Sequence, residues 1–242
     1  MGLVNSHKNT HKSSAKVPVD RQIRSFVLRR GRMTNGQRRA MRELWPTYGI
    51  ENIEGLLDFR AVFATPAPVT LEIGFGNGDT LVDMAAATPG GNYLGIEVHE
   101  PGVGHCLLRI EELKLKNVRL IRDDAIEILS AHIADKSLHR VNLFFPDPWH
   151  KKRHHKRRIV QRNFVELVAS KLEAGGVFHV VTDWPDYAEH IAGVIAATPA
   201  FEQLTEVPAD RPVSRFDSRG AQLGHKNWET AWCTRNKLPI SS

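Results

Sequence analysis

Between residues 69 and 201 the chain alternates short apolar-rich runs with longer stretches whose apolar residues recur at helical spacing. The runs Val69 to Ile73, Tyr93 to Val98, Val118 to Ile121, Val141 to Phe145 and Val177 to Thr182 are strand candidates. Each precedes a helical pattern, over about 79 to 87, 102 to 116, 125 to 133, 159 to 172 and 186 to 197. Strands that are apolar throughout, rather than at alternate positions, belong in a parallel sheet covered on both faces, and strand-helix repetition builds such a sheet. After Phe201 the pattern changes to two extended segments, Phe201 to Glu206 and Asn227 to Thr234, joined by a Pro- and Gly-containing loop with no helical pattern. That pair reads as a closing hairpin and predicts an antiparallel strand at the C-terminal side of the sheet. Upstream, Thr34 suits the N-cap of a short helix that runs through Met41 and Leu44 until Pro46 stops it. Residues 1 to 20 carry few large apolar groups and predict no regular structure, so the organisation expected is a basic arm over 1 to 45 and one α/β domain over 46 to 242.

Charge changes this picture more than composition does. The net charge of +6 conceals an arm in which residues 1 to 42 hold eleven Lys or Arg against one acid, Asp20, a net of +10, leaving −4 for the other 200 residues. Within that acidic body, Lys151-Lys152-Arg153-His154-His155-Lys156-Arg157-Arg158 is a second cationic block with no acid before Glu166. Two concentrated basic segments on an acidic body point to a polyanion, and the second has no apolar face with which to enter a membrane, so nucleic acid is the expected partner. A solvated face is the bland alternative. No run approaches the roughly 18 apolar residues of a membrane helix, the first twenty residues lack the apolar stretch of a signal peptide, and the two cysteines, Cys106 and Cys233, form no disulfide framework. The chain therefore reads as cytoplasmic, with both cysteines expected to be buried.

Candidate chemistry begins at Glu72-Ile73-Gly74-Phe75-Gly76-Asn77-Gly78, which follows the first apolar run and opens a helix. In a doubly wound sheet the ligand lies beyond the C-terminal strand ends, and this first turn approaches it most closely. Gly74, Gly76 and Gly78 permit that approach, and Glu97 ends the second strand about twenty residues on. A nicotinamide dinucleotide would set its pyrophosphate against the turn, but the sixth position of the fingerprint is Asp79 and the strand ends in Glu72, so two carboxylates flank the phosphate position. S-adenosylmethionine has no phosphate and carries a sulfonium and an ammonium, so the same acids suit it. Glu97 can accept hydrogen bonds from ribose hydroxyls, and Asp123-Asp124 at the third strand end falls where an acid meets an adenine amino group.

The fourth strand ends in Phe145-Pro146-Asp147-Pro148-Trp149-His150-Lys151 and runs directly into the cationic block. Here the sequence resembles the bacterial tRNA (guanine-N7)-methyltransferases. Leu71-Glu72-Ile73-Gly74-Phe75-Gly76, Gly95-Ile96-Glu97-Val98, Thr182-Asp183-Trp184, the segment Arg211 to Gly220, and Arg29-Arg30-Gly31-Arg32-Met33-Thr34 support the resemblance, which spans about residues 23 to 235. It implies a Rossmann-like class I methyltransferase fold, with a mostly parallel seven-stranded sheet, helices on both faces and a C-terminal antiparallel strand. It implies S-adenosylmethionine held by Glu72, Glu97, Asp124 and Asp147, with Asp147 as the catalytic residue. Substrate contacts are implied for Lys151, Asp183 and the segment Ser214, Arg215, Phe216 and Asp217, and the stretch Arg153, His154, His155, Lys156, Arg157 and Arg158 is implied to face RNA.

The residues also constrain the chemistry by themselves. Guanine N7 has an in-plane lone pair and no proton, so attack on an activated methyl group requires orientation and desolvation rather than a general base. A fixed carboxylate at Asp147 could follow the positive charge as it moves from sulfonium to purine, though an acid there could instead cap the next turn. Trp149 and Trp184 fit a base-stacking platform and core packing equally. His150, His154 and His155 lack a further ligand at fixed spacing, so no metal is expected. No obligatory protein partner is implied. Two other functions remain open: an exocyclic-amine methyltransferase, although Asp147 is followed by one proline rather than Pro-Pro-aromatic, and an RNA-binding module without activity, which the acids at 72, 97, 124 and 147 oppose.

Overall fold

The computed structural model describes Phe26 and residues 31–63, 65–213, 217 and 226–235. Eight strands among them form one sheet: β1 (Gly49–Ile50), β2 (Val69–Ile73), β3 (Asn92–Ile96), β4 (Val118–Ile121), β5 (Leu138–Phe144), β6 (Leu172–Thr182), β7 (Phe201–Gln203) and β8 (Trp228–Thr234). Their order is β1-β4-β3-β2-β5-β6-β8-β7, parallel throughout except that β8 is antiparallel to both β6 and β7. Seven of these strands match the expected sheet. The eighth, β1, pairs Gly49 with Leu120 and Ile50 with Ile121, and two residues leave no apolar run to detect.

The apolar-rich runs become the central strands, and both of their faces are covered. Every residue of β2 and β3 is buried. One face carries α1 (Asn35–Glu43), α4 (Asp79–Ala87) and α5 (Glu100–Glu112), packed around Leu81, Met84, Val103 and Leu107. The other carries α3 (Phe59–Phe63), α6 (Ala125–His132), α7 (Arg162–Lys171) and α8 (Pro185–Ala196), packed around Ile128, Phe164, Phe178 and Tyr187. Thr34 caps α1 in a capping box with Gln37, whose side chain also donates to the Pro101 carbonyl at 3.0 Å and so ties α1 to α5. Pro46 does not merely stop α1: it lies in the first turn of a separate one-turn helix, α2 (Trp45–Tyr48). Cys106 is buried as expected, whereas Cys233 is only partly so. Asp217 is helical, which the loop between the closing strands was not expected to be. No helix among the described residues is long and apolar enough to cross a membrane.

Strand order reverses between β2 and β5, since the chain runs outward through β3 and β4 on one side and through β5 and β6 on the other. The loops leaving β2 and β5 therefore diverge at their C-terminal ends and leave a crevice between them.

Candidate active site

A cleft of about 400 Å3 opens at that reversal, within the range of roughly 300–1,000 Å3 usual for small-molecule sites. Its walls come from the ends of three adjacent strands: Ile73, Gly74 and Gly76 after β2, Ile96 to His99 after β3, and Leu143 to Asp147 after β5, with Asp123 beyond β4. Gly74 and Gly76 hold φ of 70° and 58°, and a Cβ on either would meet nothing within 4 Å, so their bareness faces open space rather than packing. Gly78 serves a different purpose. At φ 78° it caps α4, and a Cβ there would strike the Cys106 side chain, so this glycine lets α4 and α5 close together and does not line the cleft.

Glu97 locks the turn to the neighbouring strand. One carboxylate oxygen accepts from the Gly76 amide at 2.9 Å and the other from Val98 and His99 at 2.7 and 2.9 Å. Glu72 lies deeper, 3 % exposed, with Oε2 lacking any hydrogen-bond partner among the described residues. Burial pushes its carboxyl up to about 8, the Glu97 charge adds to this, and Arg211 partly offsets it. Strand register sets Asn142 opposite Glu72 and His179 opposite Asn142. Asn142 Oδ1 and His179 Nδ1 are likewise unpartnered, so three buried polar groups in one row across β2, β5 and β6 each retain a free atom. A cationic ligand at the turn fits this acid-rich, donor-poor environment, and an anionic one does not. Of the two acids after β4, each spends one oxygen on the backbone: Asp124 caps α6 by accepting from the Ile126 amide at 2.9 Å, and Asp123, which lines the cleft, accepts from the Asp124 amide at 2.7 Å.

The loop after β5 holds two non-glycine residues in the left-handed region, Phe145 at φ 50° and Trp149 at φ 49°. That conformation costs about 1–2 kcal/mol per residue. The tertiary structure sustains it, with the Phe145 amide donating to the Val181 carbonyl at 2.8 Å on the adjacent strand. Between them Asp147 stands exposed at the cleft wall. The cationic block then forms a 3-10 helix, Lys152–Arg157. Three residues per turn sort it into rows. Arg153 and Lys156 face solvent. His154 and Arg157 face Trp149, the imidazole edge-on at 5.9 Å and the guanidinium over the ring at 4.7 Å. His155 and the cap residue Arg158 turn inward.

Arg158 corrects the expectation that the whole block faces RNA: it is 2 % exposed and bonded within the protein. His154 is held below the usual imidazole range by desolvation and by the surrounding charges of Arg153, Arg157, Lys151 and Lys156. Lys151 stands exposed at the start of the helix, outside the cleft wall. Trp149 is packed by its own loop, and Trp184, whose ring lies 4.2 Å from that of His150, also leans on the apolar core, so both are at least partly structural. Among the described residues no three His, Cys, Asp or Glu gather as metal ligands.

On the far side, Asp183 sits half-buried between β6 and α8. Asp217 is buried and gripped by Arg211, whose Nη1 and Nη2 donate to its two oxygens at 2.8 and 3.0 Å. The same guanidinium donates to both oxygens of Glu229 at 3.0 Å, and Glu229 also pairs with the fully buried His179 at 2.8 Å. Desolvation raises the Glu229 carboxyl, but the bonds from His179 and Arg211 outweigh it and hold the group at about 2. Arg211 belongs to the motif Arg211 to Gly220, but nothing in the sequence links it to Glu229 and His179. Ser214, Arg215 and Phe216 lie outside the described residues.

A sheet of this order, with its antiparallel closing strand and an acid-flanked glycine turn at the strand reversal, defines a class I methyltransferase. The family model described as "Putative methyltransferase" matches residues 66–230. The tRNA (guanine-N(7)-)-methyltransferases of Escherichia coli strain K12 and of Shigella flexneri are each 54 % identical over 215 residues, covering 86 % of this chain and 90 % of theirs. The chain belongs to the tRNA (guanine-N7)-methyltransferase family. In fold it also resembles the 16S rRNA methyltransferase KamB, with a TM-score of 0.56 at 11 % identity over 78 % of this chain and 99 % of the other.

Proposed function

We propose that the protein transfers the methyl group of S-adenosylmethionine to N7 of a guanosine in the variable loop of tRNA. One observation supports this most directly: the loop that carries Asp147 along the cleft wall continues without interruption into the cationic 3-10 helix. A methyl donor in the cleft and an anionic backbone on that helix would therefore meet at Asp147.

S-adenosylmethionine supplies an activated methyl group on a sulfonium. Gly74 and Gly76 leave room for it, Glu97 stands at the end of β3 with its oxygens beside the turn, and Asp124 at the start of α6, with Asp123 beside it on the cleft wall, would meet the adenine. Glu72, which keeps its proton to about pH 8 in the ligand-free protein, would ionise beneath the turn against the cationic cofactor. No protein group need remove a proton, because N7 carries none. The work of the chain is to exclude water, orient the lone pair and present the Asp147 carboxylate, whose attraction follows the positive charge from sulfur to purine. The same carboxylate can accept hydrogen bonds from guanine N1–H and the exocyclic amine, selecting guanine. Lys151, which follows the Asp147 loop, and Asp183, which follows β6, would meet the substrate, and Arg153, Lys156 and Arg157 would supply charge for the phosphates. Asp217, clamped by Arg211, and the segment Ser214 to Phe216 before it would complete the substrate contacts. Incubation of labelled S-adenosylmethionine with unmodified tRNA, followed by nucleoside analysis, should give 7-methylguanosine alone. Label in any other nucleoside refutes the acceptor assignment.

A further inference from the structure

The Arg158 guanidinium joins three elements that the reaction needs in register. Its Nε donates to the carbonyl oxygen of Pro148 at 2.9 Å, one residue beyond Asp147. Its Nη2 donates to Asp186 in the first turn of α8, three residues beyond Asp183, and meets Nε2 of His155 in the 3-10 helix at 3.1 Å. The planar group lies over the ring of Tyr187 at 4.7 Å, and Tyr187 is itself fully buried, its hydroxyl accepting from the Val160 amide at 3.3 Å. A buried cation costs free energy unless it is paired and fully hydrogen-bonded, and this one sits where the Asp147 loop, the RNA-facing helix and the N-terminus of α8 converge.

We propose that Arg158 is a positioning residue for methyl transfer: it fixes the Asp147 loop against α8 and sets the cationic helix at a constant distance from the cleft, without touching RNA. The proposal rests on the assignment of Asp147 to the reaction. The loop needs such a clamp, because Phe145 and Trp149 hold backbone conformations it would otherwise leave. Lysine cannot replace the clamp, since a single ammonium on a flexible stem does not reproduce a planar fork directed at a carbonyl and a carboxylate together.

The test compares Arg158→Lys, Asp186→Asn and their combination with Lys156→Ala and Asp147→Ala, reading single-turnover rate, tRNA affinity against salt, and melting temperature. Misplacement by about 1 Å costs on the order of a hundredfold, so Arg158→Lys should lower the rate by ten- to a hundredfold, with tRNA affinity within about twofold and an unchanged salt slope. Asp186→Asn removes a partner from the surface side and should lower the rate several-fold with the same signature. The double variant should be no slower than Arg158→Lys alone, because both changes open one clamp. Lys156→Ala should instead weaken tRNA affinity and reduce the salt slope by about one. A normal rate in folded Arg158→Lys, with only the melting temperature lowered, overturns the proposal, as does a salt slope reduced like that of Lys156→Ala. Should Arg158→Lys fail to fold, a normal rate in Asp186→Asn overturns it equally. Full turnover in Asp147→Ala would remove the reading on which the proposal rests, and the proposal with it.

Discussion

Replacing Glu72 by Gln should separate the protein's pH dependence from that of its cofactor. The buried carboxyl has its pKa raised from 4.5 to about 8, desolvation being the main cause and Glu97 the second. At 1.36 kcal/mol for each pH unit, the native state favours the protonated form by about 5 kcal/mol. The sign follows directly: the unfolded chain gives up this proton near 4.5 and the native chain keeps it until about 8, so stability of the ligand-free protein falls as pH rises across that window. Glutamine imitates the neutral acid, so Glu72→Gln should melt with wild type at pH 5 and several degrees above it at pH 9. A cationic cofactor reverses the preference by stabilising the carboxylate, so binding to wild type should release a proton. Affinity should then strengthen towards tenfold per pH unit between about 6 and 8. The α-amino group of S-adenosylmethionine titrates near 7.7–8.0 by its ordinary value and bends the same curve. The difference between wild type and Glu72→Gln cancels that contribution. Calorimetry in two buffers of different ionisation enthalpy counts the protons released. Equal pH slopes for the two proteins, with no excess proton release from wild type, would show that Glu72 does not sense the cofactor charge.

Asp147→Ala should lower the single-turnover rate by about a hundredfold or more and leave tRNA affinity within about twofold; equal losses in both would assign the residue to binding. His154, held below the usual imidazole range by desolvation and four neighbouring cations, should titrate at higher pH once tRNA phosphates neutralise those charges. An imidazole proton resonance that titrates identically with and without tRNA would remove it from the interface. Gly78→Ala should destabilise the protein by about 1–3 kcal/mol, read as a lower melting temperature, because the added methyl meets Cys106 and the left-handed backbone disfavours it. Adding Cys106→Ala should restore part of that loss; no restoration would place the cost in the backbone alone.

The parallel strands were legible because burial on both faces concentrates apolar residues in short runs, densely in Val177-Phe178-His179-Val180-Val181, while in Val69-Thr70-Leu71-Glu72-Ile73 the fold buries two polar residues as well. Glu72 was legible too, since an acid within a buried strand end demands an explanation. Strand β1 was not, because pairing with β4 rather than its own composition makes it a strand. Asp123 and Asp124 are chemically alike and adjacent, and only the backbone at the start of α6 decides which side chain caps the helix and which meets the cleft. The Arg211 network is a tertiary event: its partners Asp217 and Glu229 come from different segments and His179 from β6, so no spacing rule joins them.

The cationic block shows most sharply what a charge count conceals. Residues 151 to 158 present six fixed positive charges with no apolar member, and on that basis every side chain should seek solvent or phosphate. A 3-10 helix repeats every three residues, so positions 155 and 158 share a side, as do 154 and 157, and 153 and 156. The side facing α8 meets Tyr187 and Asp186, an aromatic face and a carboxylate suited to a guanidinium, and Arg158 is drawn inward. The side facing the Asp147 loop meets Trp149, which Arg157 covers. Only the third side remains wholly exposed. One run of like charge therefore divides into a surface that can bind phosphate, a cover for the strained loop, and a buried clamp behind it.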